Sequence, residues 1–178
     1  MSKLTDSLSY SHLLKILDYN SETGIFRWKI DIGRGRSGTE AGTFRNIDGA
    51  RHIRINGKFI LSHRLAWFYV FGEWPIWPKH IDHINGNRVD NRIANLRIAL
   101  PAQNRANSKR RVDNTSGFKG VSDSWGKSRI KRWRAMIVVR QEGRRKQITI
   151  GRFKTREEAH AAYLVAAKQH FGEFARGE

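Results

Sequence analysis

Residues 81–107 read IDHINGNRVDNRIANLRIALPAQNRAN. The apolar residues Ile81 and Ile84 enclose an adjacent Asp82-His83 pair, so the stretch opens as a short strand. Neighbouring side chains of a strand point to opposite faces, and Asp82 and His83 therefore serve one site only where the strand ends or bends. Asn85-Gly86 supplies such a turn. A polar, Asn-rich stretch then runs to Arg97, and Pro101 suits the first turn of a helix that carries Gln103, Asn104 and Asn107.

Upstream, Leu13, Leu14, Ile16 and Leu17 after Ser11 predict a short helix, ended by the polar run 18–24. A strand is expected at 25–28, and the Gly- and Arg-rich residues 31–42 read as a mobile basic loop. Segments 51–55 and 58–61 predict a hairpin, because Asn56-Gly57 supplies the positive φ angles of a two-residue turn. Ser62 is placed to cap a helix opened by His63 and Arg64 and buried through Leu65, Ala66, Phe68 and Tyr69. Pro75 and Pro78 end it.

Downstream, residues 107–116 are polar and basic with almost no apolar side chain, which places a domain boundary there. Beyond it the pattern changes to strands at 117–122, 133–140 and 146–150, separated by turns at 125–127 and 142–143. Thr155 and Glu158 form a capping box, and Ala159, Ala162, Tyr163 and Ala166 make one helix face whose small residues allow close approach to a sheet. The expected organisation is a lead-in at 1–52, a central domain at 53–108, a linker at 109–116 and a C-terminal domain at 117–178. The fold class is α+β.

The 178 residues carry 34 Lys or Arg against 16 Asp or Glu, a formal charge of +18 that attracts a polyanion. Residues 105–154 hold sixteen Lys or Arg against three Asp or Glu, which leaves +13 in that stretch alone. Nucleic acid is the expected partner, with affinity that falls as salt rises. No run approaches the roughly 18 to 20 apolar residues of a membrane span. The polar N-terminal residues 1–10 contain no signal-peptide core, so a cytoplasmic, DNA-associated protein is expected. Absence of Cys removes disulfides, thiol catalysis and Cys-ligated zinc, and leaves oxygen and imidazole as metal donors. His80 and His83 lack a clear third and fourth ligand for zinc.

Hydrolysis of a phosphodiester needs an activated water, a cation beside the phosphate, and in-line geometry. His83 is suited to accept a proton from water near neutral pH. Asp82 and an amide oxygen of Asn104 are hard donors suited to Mg²⁺ (or Mn²⁺). Asn107 lies three residues along the same helix and shares its face, so either Asn meets the physical requirement. Asn95 is placed to hold the imidazole or the backbone. Arg64, Arg88 and Arg97 flank the site and are candidates for phosphate contact.

The segment 53–107 resembles the HNH homing endonucleases, whose ββα-metal (His-Me finger) site uses an Asp-His pair, a middle Asn and a late Asn or His. That resemblance implies a central ββα-metal fold, with His83 as general base, Asp82 and Asn104 as metal ligands and Asn95 as the orienting Asn. His63-Arg64-Leu65 resembles the family's upstream element. It further implies nicking of double-stranded DNA by one active site, with double-strand cuts requiring a dimer. A monomer or weak dimer is expected. The alternative is a DNA-binding regulator that retains the fold without cleaving.

Residues 116–121, Trp133-Arg134-Ala135, 150–153 and 157–163 resemble the Apetala-type DNA-binding domain of plant ethylene-response factors, over about residues 114–174. The resemblance implies a three-stranded antiparallel sheet packed on one helix. Its groove-facing positions fall near Lys119, Ser122, Ser124, Arg134, Met136, Val138, Gln147, Thr149 and Arg152. Strand alternation places Arg132 and Arg140 on the same outward face, opposite Trp133, Ala135, Ile137 and Val139. Several Arg and Trp contacts of the plant family are absent, so the target sequence does not carry over.

Overall fold

The computed structural model describes residues 8–124, 132–141 and 144–177. The turns expected at 125–127 and 142–143 lie outside them. The chain divides into two compact units, Met1–Ala99 and Leu100–Glu178.

In the first unit, helix α1 (Tyr10–Ile16) is capped by Ser9, whose side chain accepts from His12 N, two residues before the Ser11 start expected. It runs directly into a hairpin of β1 (Leu17–Asn20) and β2 (Ile25–Trp28). The polar run 18–24 thus holds a strand, and the hairpin turns on Asn20, whose Oδ1 accepts from the backbone of Glu22 and Thr23. A three-stranded antiparallel sheet follows, in the order β3 (Thr43–Arg45), β4 (Ala50–Ile55), β5 (Lys58–Leu61). Asn56, with φ of 50°, makes the β4–β5 turn. Residues 31–42 are not an unstructured loop: Ile32 and Gly35 exchange backbone hydrogen bonds, Ala41 N donates to Phe26 O, and Ala41 is fully buried.

Helix α2 (Ser62–Phe71) begins without a side-chain cap, and Ser62 lies inside the helix, buried, with no hydrogen-bond partner for its hydroxyl among the described residues. The expected cap therefore fails. Tertiary packing holds this end of the helix through Leu65, Ala66 and Phe68. Strands β6 (His80–His83) and β7 (Leu96–Ala99) form a second antiparallel hairpin, with Asp82 opposite Arg97.

The core of this unit joins Leu13, Ile16, Leu17, Phe26 and Trp28 to Ile53, Leu65, Phe68, Ile81 and Leu96. Each such side chain contributes about 1.5–3 kcal/mol by leaving water. Residues read from the sequence as a lead-in therefore supply much of the core against which the β6–β7 hairpin is built.

In the second unit, α3 (Pro101–Asn107) contacts the helix α4 (Arg156–Phe171) and the short turn Gly172–Phe174 that follows it. The division between units thus falls before α3, N-terminal to the stretch 109–116 read as a linker. Within that stretch Asn114 Nδ2 donates to Phe118 O, and the neighbouring Ser116 hydroxyl donates to Val121 O. The sheet has the order β10 (Arg144–Phe153), β9 (Trp133–Gln141), β8 (Val121–Asp123), all antiparallel. Ala135 and Ile137 of β9 meet Ala159, Tyr163 and Ala167 of α4 in the core. Thr155 Oγ1 accepts from Glu158 N, while Glu158 Oε2 reaches back to Lys154 N. Gly120 has φ of +73°, and a Cβ there would fall inside the Tyr163 ring.

Candidate active site

His83 is the last residue of β6, and its carbonyl accepts from Gly86 N at 2.8 Å, closing the turn at Asn85-Gly86. The strand ends where both Asp82 and His83 are wanted, and both are buried. Asp82 Oδ2 accepts from Arg97 Nε at 3.0 Å across the β6–β7 ladder. Arg97 is itself largely buried in this ion pair, with 11% of its side chain exposed. Arg97, a candidate for phosphate contact in the sequence, thus pairs with Asp82.

Two neighbours hold the His83 ring. Nε2 lies 3.3 Å from Asn91 Oδ1, and the ring packs edge-to-face on His63 of α2 with centroids 4.9 Å apart. Burial lowers the His83 pKa, while the Asn91 hydrogen bond and the charges of Asp82 and Asp90 pull it back upward without cancelling the shift. Burial, then the charge of His83, lowers His63 to about 3, which keeps His63 neutral.

Asn95 holds the backbone. Its Oδ1 accepts from Asn85 N at 3.0 Å, and its Nδ2 donates to Asp90 O at 2.8 Å, tying both ends of the loop between β6 and β7. Asp90 completes the tie: Arg92 grips it through two hydrogen bonds of 2.7 and 2.6 Å, and Asn85 Nδ2 donates to it at 2.7 Å. Chiefly through the Arg92 contact, the Asp90 pKa falls to about 2.

Arg64 lies over the Trp74 ring at 5.6 Å, and Arg88 donates to Asp48 O at 2.9 Å. Asn104 and Asn107 stand on α3 in the second unit; Asn107 is buried and Asn104 partly so.

Several of the C-terminal residues expected to meet DNA are engaged internally. Lys119 Nζ donates to the carbonyls of Ala106 and Ser108, capping the C-terminus of α3, and burial lowers its pKa to about 8. Ser124 is buried, with its hydroxyl donating to Arg132 O at 2.5 Å. Arg132 pairs with Asp123, and Arg134 reaches Ser122 Oγ at 3.5 Å. Gln147 and Thr149 are exposed on β10, Arg140 is exposed on β9, and Met136, Val138 and Arg152 are half-buried. Beside this surface lies a groove of about 440 Å³ lined by Arg105, Lys109, Arg110, Arg140 and Arg145, with Met136 and Val138. Arg105, Lys109, Arg110 and Arg145 of this groove were not singled out from the sequence, because charge density alone does not say which basic residues share a wall.

The HNH endonuclease family matches residues 61–106, the span that contains Asp82, His83, Asn95 and Asn104. The chain is 37% identical to Protein 3.8 of Escherichia phage T7 over 96 residues, 48% of this chain and 75% of that protein. It is 32% identical to the uncharacterized HNH endonuclease L560 of Acanthamoeba polyphaga mimivirus over 121 residues, 67% of this chain and 57% of that protein. No solved structure matches the chain. The chain belongs to the HNH endonuclease family, whose members are DNA-cleaving enzymes. None of its described helices is long and apolar enough to cross a membrane.

Proposed function

We propose that the protein is a divalent-metal-dependent endonuclease that nicks duplex DNA through His83, with the C-terminal unit placing the duplex. The observation that carries this reading is the buried Asp82-His83 pair at the end of β6, beneath a loop that Asn95 ties at both ends. His83 takes a proton from water as general base. Asn95 acts by holding the loop that presents His83.

The donors fit a hard cation. Among the described residues no three His, Cys, Asp or Glu stand together as a metal cage. Mg²⁺ needs none, since it keeps several waters and binds through one or two protein carboxylates. Asp82 and, by the resemblance to HNH homing endonucleases, Asn104 or Asn107 would hold it. When bound, the ion supplies positive charge to the phosphate and the leaving oxygen. The Arg97 ion pair orients the Asp82 carboxylate.

The C-terminal unit, read as an Apetala-type module, offers Arg134, Met136, Val138, Arg140, Gln147, Thr149 and Arg152 on its outward face. Arg105, Lys109, Arg110 and Arg145 of the adjoining groove extend that surface toward the phosphate backbone.

The test is incubation of wild type and His83→Ala with supercoiled phage or host DNA, with Mg²⁺ or with chelator. Relaxed circles from wild type alone, and only with Mg²⁺, are expected. Binding without cutting by either protein would favour a DNA-binding regulator, and cutting by both would remove His83 as the base.

A further inference from the structure

We infer that the β3–β4–β5 sheet of the first unit carries a second DNA-contact surface, Arg45, Arg54 and Phe59, which grips backbone phosphates of the duplex beside the cut. The inference rests on the reading of the Asp82-His83 site as the one that cuts DNA, and it adds a contact that the C-terminal unit does not supply.

Register and strand alternation put Arg45, His52, Arg54 and Phe59 on one face of this sheet, while Ile53 and Ile55 fill the core from the other. Phe59 is 47% exposed. The guanidinium of Arg45 lies over its ring at 4.9 Å and that of Arg54 at 5.7 Å, so one aromatic side chain gathers two cations. Arg54 is fixed further by its Nε, which donates to Gly57 O at 3.4 Å. The ion pairs of the sheet belong to other residues. Arg51 of the opposite face pairs with Glu40, and His52 takes Asp48, the carboxylate whose charge Arg45 feels. Arg45 and Arg54 have no ion-pair partner among the described residues.

Two like charges repel, and a cation held on an exposed ring gains only about 0.5–1 kcal/mol, so stability does not account for the cluster. An anion between them removes the repulsion. Planar guanidiniums offer paired N–H donors that match phosphate oxygens, and the ring holds them in place so that less side-chain freedom is lost on binding. The ring already carries the guanidiniums, which favours phosphate over a stacked base. A duplex is the occupant because this face runs into the candidate active site. The backbone O of Asp48 accepts from Arg88 Nη1 at 2.9 Å, and Arg88 belongs to the loop between β6 and β7 that follows His83. The charges of His52 and Arg88 are both felt at His63, whose ring packs on His83. Arg45, Arg54 and Phe59 continue this line of basic residues away from Asp82 and His83.

Arginine accessibility tests the surface in the wild-type full chain. With a short mixed-sequence duplex at saturation, and chelator to prevent cutting, Arg45 and Arg54 should be protected from phenylglyoxal, as read by peptide mass spectrometry. The reactivity of Arg51 on the opposite face should not change. Arg45 and Arg54 left unprotected by saturating duplex overturn the inference whether or not any variant folds. The pair Arg45→Gln with Arg54→Gln, with its fold checked by circular dichroism, should reduce the slope of log K against log salt by roughly 2, at about 0.9 per phosphate. Arg45→Lys with Arg54→Lys keeps both charges and should keep the slope. An unchanged slope in the Gln pair, or an equal fall in the Lys pair, would also overturn the inference. The nuclease reading fails separately, as absence of Mg²⁺-dependent nicking by a wild type whose two arginines are still protected.

Discussion

At His63 the fold holds an imidazole where a proton is costly. Burial places its pKa at about 3, against an ordinary value of 6.5, so between those limits the unfolded chain binds more protons than the folded one. Stability that is fully present above pH 6.5 is therefore lost as pH falls toward 3, and His83 is shifted in the same direction. At pH 5 the His63 contribution amounts to about 2 kcal/mol, from roughly 1.4 kcal/mol per unit of pH. Urea unfolding at pH 7.5 and at pH 5 should show it, and His63→Phe, which keeps a ring against His83, should lose that part of the pH dependence. An equal slope in both proteins would mean that His63 is solvated. The same residue shows what could be read in the chain: His63-Arg64-Leu65 stood out as a motif, but its ring contact with His83 joins residues twenty positions apart and has no local signature.

At the scale of elements, turns and strand ends were legible wherever one local rule decides them. Asn56-Gly57 makes its turn, and Asn85-Gly86 ends β6 at His83. Helix starts were less so, because burial competes with capping: α2 begins at a buried Ser62 whose hydroxyl caps nothing. Strand β1 follows α1 without a break, and its alternating burial over four residues was too short to separate from a polar turn. In the second unit, Gly120 combines a left-handed backbone with contact against Tyr163, and its carbonyl accepts from Met136 N. Gly120→Ala should cost about 2–5 kcal/mol, the sum of the φ penalty and the overpacking of the ring. Thermal unfolding measures it. A loss below about 0.5 kcal/mol would mean that β8 and α4 separate easily.

For the whole molecule the formal charge of +18 sets how it meets DNA, and the groove beside β9 says which charges act together. Replacing Arg105, Lys109 and Arg110 by Gln should weaken duplex binding to a similar degree for all sequences. It should also reduce the slope of log K against log salt by roughly 2 to 3, if each side chain meets one phosphate. Fluorescence anisotropy across a salt series gives the slope. An unchanged slope would place the duplex elsewhere on the unit.

Composition and local pattern by themselves determined a basic, Cys-free α+β chain with an Asp-His pair at a strand end in its middle and a strand-rich basic region after it. Charge, turn residues and adjacent Asp-His pairs act over a few positions, so they survive in a linear reading. Tertiary structure alone decided how those pieces are held. It put Arg97 on Asp82, Asn95 on the loop backbone, Asn91 on the imidazole and Lys119 on the end of α3. It also turned the supposed lead-in into core for the β6–β7 hairpin. Each of these is a partner choice among many polar or apolar groups of similar type. Burial and distance make that choice, and both are properties of the folded chain.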